Sequence, residues 1–359
     1  MKHFYINGKF LTQPMSGVQR YAAEISKHLS YLTADFSVVT SSEKIQAGII
    51  PENNIVRIGQ RTGPLWEQFS LPEFLNKQHH PLLLNLCNVG PVFYKNKIVC
   101  IHDISFIRNP SWFSTSFYLY YKTIIPLLIK SSKHLITVSE FSRSEIMDYY
   151  KIQGDKISVI PGGIASTFLP SDQLAPASIS LQQRPFFLFV GSLDPRKNLL
   201  TLLKAFVQSG ITNTALIVVG ASNRSFSTTI LKAIEEYRNH TGIYFYNETT
   251  DEQLASLYKN AKALILPSYY EGFGLPIIEA LSVGCPVIVS DIRVFREVAE
   301  DNALYFDPTK IDELIGLLKQ SAEGPGILKN TNIMASITAK YSWNTSANKL
   351  LSIINTYQE

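Results

Sequence analysis

Glu271 and Glu279 bracket the stretch E-G-F-G-L-P-I-I-E, and Arg196 and Lys197 sit upstream in G-S-L-D-P-R-K-N-L. An ionised glutamate only accepts hydrogen bonds, so a pair of them suits the hydroxyls of a ribose or hexose and repels a second anion. Adjacent guanidinium and ammonium groups suit phosphate. A neighbourhood holding both kinds of group is a pocket for a nucleotide-linked sugar.

Local signals place these residues. Pro276 fits the first turn of a helix, because its missing N–H has no intrahelical partner there and its φ is already helical. A helix therefore starts near Leu275. The amides around Gly272, Phe273, Gly274 and Leu275 then lie at its positive end, with two glycines allowing close approach to the backbone. Glu279 falls in the first helical turn and Glu271 in the loop before it. Each piece alone has a plainer explanation: a glutamate in a first turn stabilises the helix dipole in roughly half of cases. A loop Arg-Lys pair is simply solvated about as often.

The 359 residues fit two domains, and 45% hydrophobic content gives each enough apolar material for a core. A formal charge of +4 and pI near 8.7 are compatible with a phosphate-bearing substrate or an anionic membrane face and fall short of a nucleic-acid footprint. Cys87, Cys100 and Cys285 are scattered in apolar runs, which points to buried thiols in a reducing compartment rather than a disulfide frame or zinc site. The N-terminus has no signal-type core, and no run of 18 uncharged apolar residues occurs, so a cytoplasmic protein is expected.

Short apolar runs alternate with helical periodicity, the pattern of parallel sheets covered by helices. Strands are expected at 3–6, 36–39, 82–86, 98–101, 135–138 and 157–160, then at 186–190, 215–219, 243–246, 263–266 and 287–289. Helices are expected at 199–207 and 228–238. Ser16 with Gln19 reads as a capping box opening a helix with Val18, Tyr21, Ala22, Ile25 and Leu29 on one face, and Thr250 with Gln253 reads as another. Residues 166–184 collect Ser, Pro and Gln and read as a linker between an N-terminal Rossmann-like domain (1–165) and a second one (185–342). A last helix, near 344–357, carries Ala347, Leu350, Leu351 and Ile354 on one face. Ligands of open parallel sheets bind at the carboxyl ends of strands, where 192–198, 247–250 and 268–274 all fall.

The combination of the E-x7-E pair, Arg196-Lys197, the early loop M-S-G-V-Q-R (15–20), His102-Asp103 after a strand, V-S-E-F-S (138–142) and P-G-G-I (161–164) resembles the retaining glycosyltransferases of family four, of GT-B architecture, over nearly the whole chain. The resemblance implies two Rossmann-like domains facing each other across a cleft, the N-terminal one binding the acceptor, and a C-terminal helix (343–359) crossing back to it. It implies Arg196 and Lys197 on the diphosphate, aided by amides near Gly17 and Gly274, with no divalent metal. It further implies Glu271, Phe273 and Gly274 on the donor sugar, Glu279 with Leu275 at the ribose end, and His102 near the sugar. Asp103, Ser192, Tyr246 and Asn247 are candidate contacts to base or sugar, and Asp103 equally suits a cap on the turn Asp-Ile-Ser. Where many relatives carry Asn-Gly-Ile-Asp, this chain has Gly162-Gly163-Ile164-Ala165, so that acidic residue has no counterpart.

The expected activity is retaining transfer of a hexosyl group, mannosyl or rhamnosyl, from a nucleotide-sugar to a saccharide, with a lipid-linked oligosaccharide at the inner face of the plasma membrane as the acceptor implied by O-antigen and exopolysaccharide relatives. Another GT-B enzyme, such as a sugar-nucleotide epimerase or a phosphorylase, and a non-catalytic sugar-nucleotide-binding scaffold stand as alternatives. The aromatic and basic run Trp112, Phe113, Phe117, Tyr118, Tyr120, Tyr121, Lys122 could rest on a bilayer interface. Packing into a helix core is the commoner fate of such a stripe, at roughly two to one.

Overall fold

Runs such as FFLFV and ALIVV are apolar at every position, as strands buried on both faces must be, and they form the centres of parallel sheets. In the computed structural model, which describes residues 2–46, 48–169, 184–220, 228–323 and 331–358, the chain divides into two compact units. The first comprises Met1–Ile107, Tyr118–Gly163 and Ser342–Glu359, the second Arg108–Phe117 and Ile164–Tyr341. The units thus differ from the contiguous ranges read from sequence in one internal stretch, 108–117, which packs with the second. Most of the expected linker, 170–183, lies outside the described residues.

In the first unit the strands β1 (Phe4–Asn7), β2 (Phe36–Thr40), β3 (Ile55–Arg57), β4 (Leu83–Asn85), β5 (Lys97–Cys100), β6 (His134–Thr137) and β7 (Ile157–Val159) form a parallel sheet of order β3-β2-β1-β4-β5-β6-β7. The strand order reverses between β1 and β4. The second unit repeats the design with β8 (Phe186–Val190), β9 (Ala215–Val219), β10 (Ile243–Tyr246), β11 (Ala263–Leu266), β12 (Val287–Ser290) and β13 (Leu304–Phe306) in the order β10-β9-β8-β11-β12-β13, reversing between β8 and β11. Phe187, Phe189, Leu202, Leu203 and Phe206 are buried together on one face of this sheet, each worth about 1.5–3 kcal/mol relative to exposure.

The helix Trp343–Gln358 belongs to the first unit and packs along Gly17–Leu32. Trp343 meets the edge of Tyr21 at 5.7 Å and Ser346 Oγ donates to the Pro161 carbonyl at 2.9 Å. A Cβ at Gly163 would run into the backbone of Trp343, which is why glycine stands there. Ala347, Leu350 and Ile354 are buried, whereas Leu351 is only half-buried.

Two local expectations need correction. Thr250 and Gln253 do form a capping box, with bonds of 2.9 and 3.2 Å, but Ser16 does not: its hydroxyl turns to the Gln19 side-chain oxygen instead of a backbone N–H. The aromatic run is half-buried rather than fully packed into a helix core: Trp112 and Phe113 precede the helix, Phe117, Tyr118 and Tyr121 are half-buried, and Tyr120 and Lys122 are exposed. Within Thr115–Ser131 the buried residues are Ile124, Ile125, Leu128 and Ile129, while Leu119 is 55% and Tyr120 36% exposed. Among the described residues no helix is long and apolar enough to cross a membrane, and Cys87, Cys100 and Cys285 form no disulfide.

Candidate functional site

The second sheet sets the geometry. Because β8 and β11 are hydrogen-bonded neighbours on either side of the switch point, the loops leaving their carboxyl ends are forced together. The first loop carries Arg196 and Lys197 and the second Glu271. Their backbones are tied by Tyr269 N–H donating to the Arg196 carbonyl at 2.8 Å.

Arg196 Nη1 lies 2.9 Å from Glu271 Oε2, Lys197 Nζ pairs with Oε1, and Ser268 Oγ donates to Oε1 at 3.0 Å. Glu271 is only 6% exposed. Burial pushes its carboxyl up, but the Lys197 and Arg196 cations, with hydrogen bonds from Lys197 and Ser268, outweigh that and hold it below the ordinary carboxylate range. Asp194 completes the group: Oδ1 accepts from the Arg196 N–H at 3.1 Å, and Oδ2 accepts from Ser192 Oγ at 2.8 Å and lies 3.4 Å from Arg196 Nε. Two cations therefore face two buried carboxylates at one strand edge. Glu271, expected on the donor sugar, is the counter-ion of both cations in the structure.

The helix Leu275–Ser282 begins where Pro276 places it, with Gly274 as N-cap at φ 117°, a left-handed conformation that favours glycine. The Phe273 ring is buried and meets Tyr341 edge-on at 5.5 Å, leaving its amide at the turn. Glu279, 5% exposed, accepts at Oε2 from the Tyr258 hydroxyl at 3.0 Å. Tyr258 is itself fully buried against Phe168, whose carbonyl accepts from Ser282 Oγ at 2.8 Å. Tyr246 ends β10, the outer strand two positions from β8, and the exposed Asn247 follows it, so the structure does not gather them with Arg196 and Glu271.

Gly17, His102 and Asp103 belong to the first unit. Gly17 opens the helix Gly17–Leu32 on an exposed edge, where a Cβ would meet nothing. His102 is 7% exposed; its backbone N–H donates to Asn88 Oδ1 and its Nε2 lies 2.8 Å from the Leu86 carbonyl. A carbonyl only accepts, so Nε2 carries the proton. Burial lowers the imidazole pKa, more than the Leu86 carbonyl and Asp103 raise it, so the ring is neutral at pH 7 with Nδ1 as an acceptor. Asp103 Oδ1 caps the next turn, accepting from Ser105 N–H at 2.9 Å.

Three residues of the arrangement are not evident in the chain order: Asp194, Ser268 and Tyr258. Asp194 had a signal, since Asp before Pro-Arg is a common cap, and its side chain does cap that turn. Tyr258 had none. Among the described residues no three His, Cys, Asp or Glu side chains converge to hold a metal ion.

Two family descriptions match consecutive parts of the chain: Glycosyltransferase Family 4 over residues 15–168 and Glycosyl transferases group 1 over 172–336. The O-antigen chain mannosyltransferase B of Escherichia coli is 30% identical over 245 residues, covering 65% of this chain and 64% of that protein, slightly under two thirds. The O-antigen chain mannosyltransferase RfbU of Salmonella typhimurium is 28% identical over 309 residues, 81% of either chain. Among solved structures, Anabaena Alr3699/HepE in complex with UDP-glucose superposes with a TM-score of 0.77 at 16% identity, over 99% of this chain and 100% of that one, which is a likeness of fold.

Proposed function

The chain belongs to the group 1 glycosyltransferases of family four, and on that footing we propose that it transfers a hexosyl group, mannosyl by preference, from a nucleotide-sugar to a saccharide acceptor with retention of configuration. The observation that carries this reading is the convergence of Arg196 and Lys197 on Glu271 at the switch point, beside a helix N-terminus. The mannosyl preference and a lipid-linked acceptor are supported by the O-antigen mannosyltransferases it is similar to. A cytoplasmic place at a membrane face goes with that acceptor.

As the donor's anomeric C–O bond breaks, its electron pair passes to the diphosphate, and Arg196 and Lys197 meet that charge, with the amide of Gly274 assisting. Glu271 then accepts from the sugar hydroxyls beside the amides of Phe273 and Gly274. Glu279, its carboxylate oriented by Tyr258, accepts from the ribose diol. The acceptor oxygen forms its bond on the face the diphosphate leaves, and its proton goes to the departing phosphate oxygen. No divalent ion is assigned a part, because two cations supply the positive charge.

Proton NMR of the first product formed with GDP-mannose, in buffer containing EDTA, tests this. The expected result is an α-linked product at an unchanged rate. An inverted anomer would reject the front-face scheme, and loss of turnover in EDTA would reject the metal-free assignment.

A further inference from the structure

The first sheet has a second polar cluster, at its own switch point, that the scheme above does not use. Asn7 and Asn85 are the last residues of β1 and β4, whose pairing sets them side by side. Asn7 Nδ2 donates to Asn85 Oδ1 at 2.9 Å and to Glu67 Oε1 at 2.8 Å, and Lys9 Nζ pairs with Glu67 Oε2 at 2.7 Å. Glu67 is 1% exposed and Asn85 fully buried, while the Lys9 side chain remains 21% exposed.

Three features set this cluster apart from ordinary packing. A buried ion pair is weak evidence for stability, since apolar residues of the same volume do as well or better. Asn85 Nδ2 is a buried donor without a partner, and the amide cannot be turned round to cure this, because its Oδ1 is needed by Asn7. Glu67 also lies in a π-helical turn, Trp66–Ser70, a wide geometry that recurs at functional sites. Gln68 from that turn holds the loop after β4, donating to the Gly90 carbonyl at 2.8 Å and accepting from Val92 N–H at 3.0 Å. The charge of Glu67 is felt at Tyr120 and Tyr121, where burial first and that carboxylate second push the phenols up, so both stay protonated donors.

We propose that Lys9, Glu67, Asn7 and Asn85 form a subsite for a hydroxyl of the saccharide acceptor. The charge pair is neutral overall and offers donors and an acceptor together, which matches a hydroxyl and not a phosphate or carboxylate. This rests on the glycosyltransferase reading for the identity of the ligand. Lys9 is the exposed end by which the hydroxyl engages the network.

The test is saturation-transfer NMR with methyl α-mannoside on the full chain, comparing wild type with Lys9→Met/Glu67→Gln, a double change that leaves no unpaired buried charge. Thermal stabilisation by GDP-mannose reports separately on fold and donor site. Binding of the mannoside by wild type, weakened about tenfold or more per hydrogen bond lost in a variant that GDP-mannose still stabilises, supports the subsite. No mannoside signal in wild type, or equal signals in both proteins, overturns it. If GDP-mannose stabilises neither protein while the mannoside signal still depends on the pair, the donor assignment fails and the subsite stands. Should the double variant not fold, Lys9→Arg, which keeps the charge opposite Glu67 and changes the exposed tip that meets the hydroxyl, replaces it, with the same outcomes.

Discussion

Arg196→Ala is expected to lower kcat by about 10²–10³ while changing the donor KM far less, because in the proposed reaction the guanidinium acts on charge that appears only as the diphosphate departs. The position supports a large effect. Arg196 is held from several sides at once, by Glu271 at 2.9 Å, by Asp194 at 3.4 Å and by the backbone bond from Tyr269 to its carbonyl. Its charge is therefore preorganised and needs little rearrangement during the reaction. Arg196→Lys should recover only part of the rate, since an ammonium lacks the fork that reaches two carboxylates together. Steady-state kinetics on both variants checks this, and a kcat equal to wild type in Arg196→Ala would remove the residue from the reaction.

Glu271→Gln is expected to act in opposite directions on two quantities. In the structure Glu271 neutralises both Arg196 and Lys197, so under the proposed reaction the donor diphosphate exchanges with this carboxylate for the same two cations. A neutral amide of the same shape leaves Arg196 and Lys197 with one negative partner fewer. Product nucleoside diphosphate then binds about tenfold tighter, the order of a charge-assisted hydrogen bond gained. Turnover falls about 10²-fold or more, because the sugar loses its carboxylate acceptor and the product leaves slowly. Calorimetric titration with GDP and UDP alongside kcat separates the two effects. Weaker nucleotide binding in Glu271→Gln would show that the carboxylate does not compete with phosphate.

How far the sequence carries varies along the chain for identifiable reasons. Phe186–Val190, Ala215–Val219, Ile243–Tyr246 and Ala263–Leu266 have the bounds expected from their apolar runs. Ile55–Arg57 and Leu304–Phe306 escape the same reasoning. Each is a three-residue edge strand whose first two side chains are half-buried, and its pairing to a neighbour defines it more than its composition does. Pro276 gave the start of Leu275–Ser282 because one covalent ring constrains both φ and the missing donor. Ser16 and Gln19 show the limit of such local rules: spacing was right, yet the serine hydroxyl found the glutamine side chain first.

The site was legible in its members and not in its pairing. Arg196, Lys197 and Glu271 are chemically conspicuous, but that one carboxylate binds both cations depends on the β8–β11 pairing across a separation of 75 residues. Tyr258 looks like any apolar helix position until its hydroxyl is seen on Glu279. The Lys9–Glu67 pair is likewise invisible without the β1–β4 register. In each case the missing information is which strands are neighbours, a property of the whole sheet.

The most direct measurement is a thermal-stabilisation screen of wild type, Glu279→Ala and Tyr258→Phe with GDP-mannose, UDP-glucose, UDP-N-acetylglucosamine, UDP-galactose and dTDP-rhamnose. A ligand that binds only the folded state adds about 2.7 kcal/mol at a hundredfold excess over Kd. The expected result is one clear upward shift in wild type, abolished in Glu279→Ala and reduced in Tyr258→Phe, where the carboxylate survives without the hydroxyl that orients it. No shift with any of the five, or a shift that Glu279→Ala retains in full, would contradict a nucleotide-sugar held by Arg196, Lys197, Glu271 and Glu279.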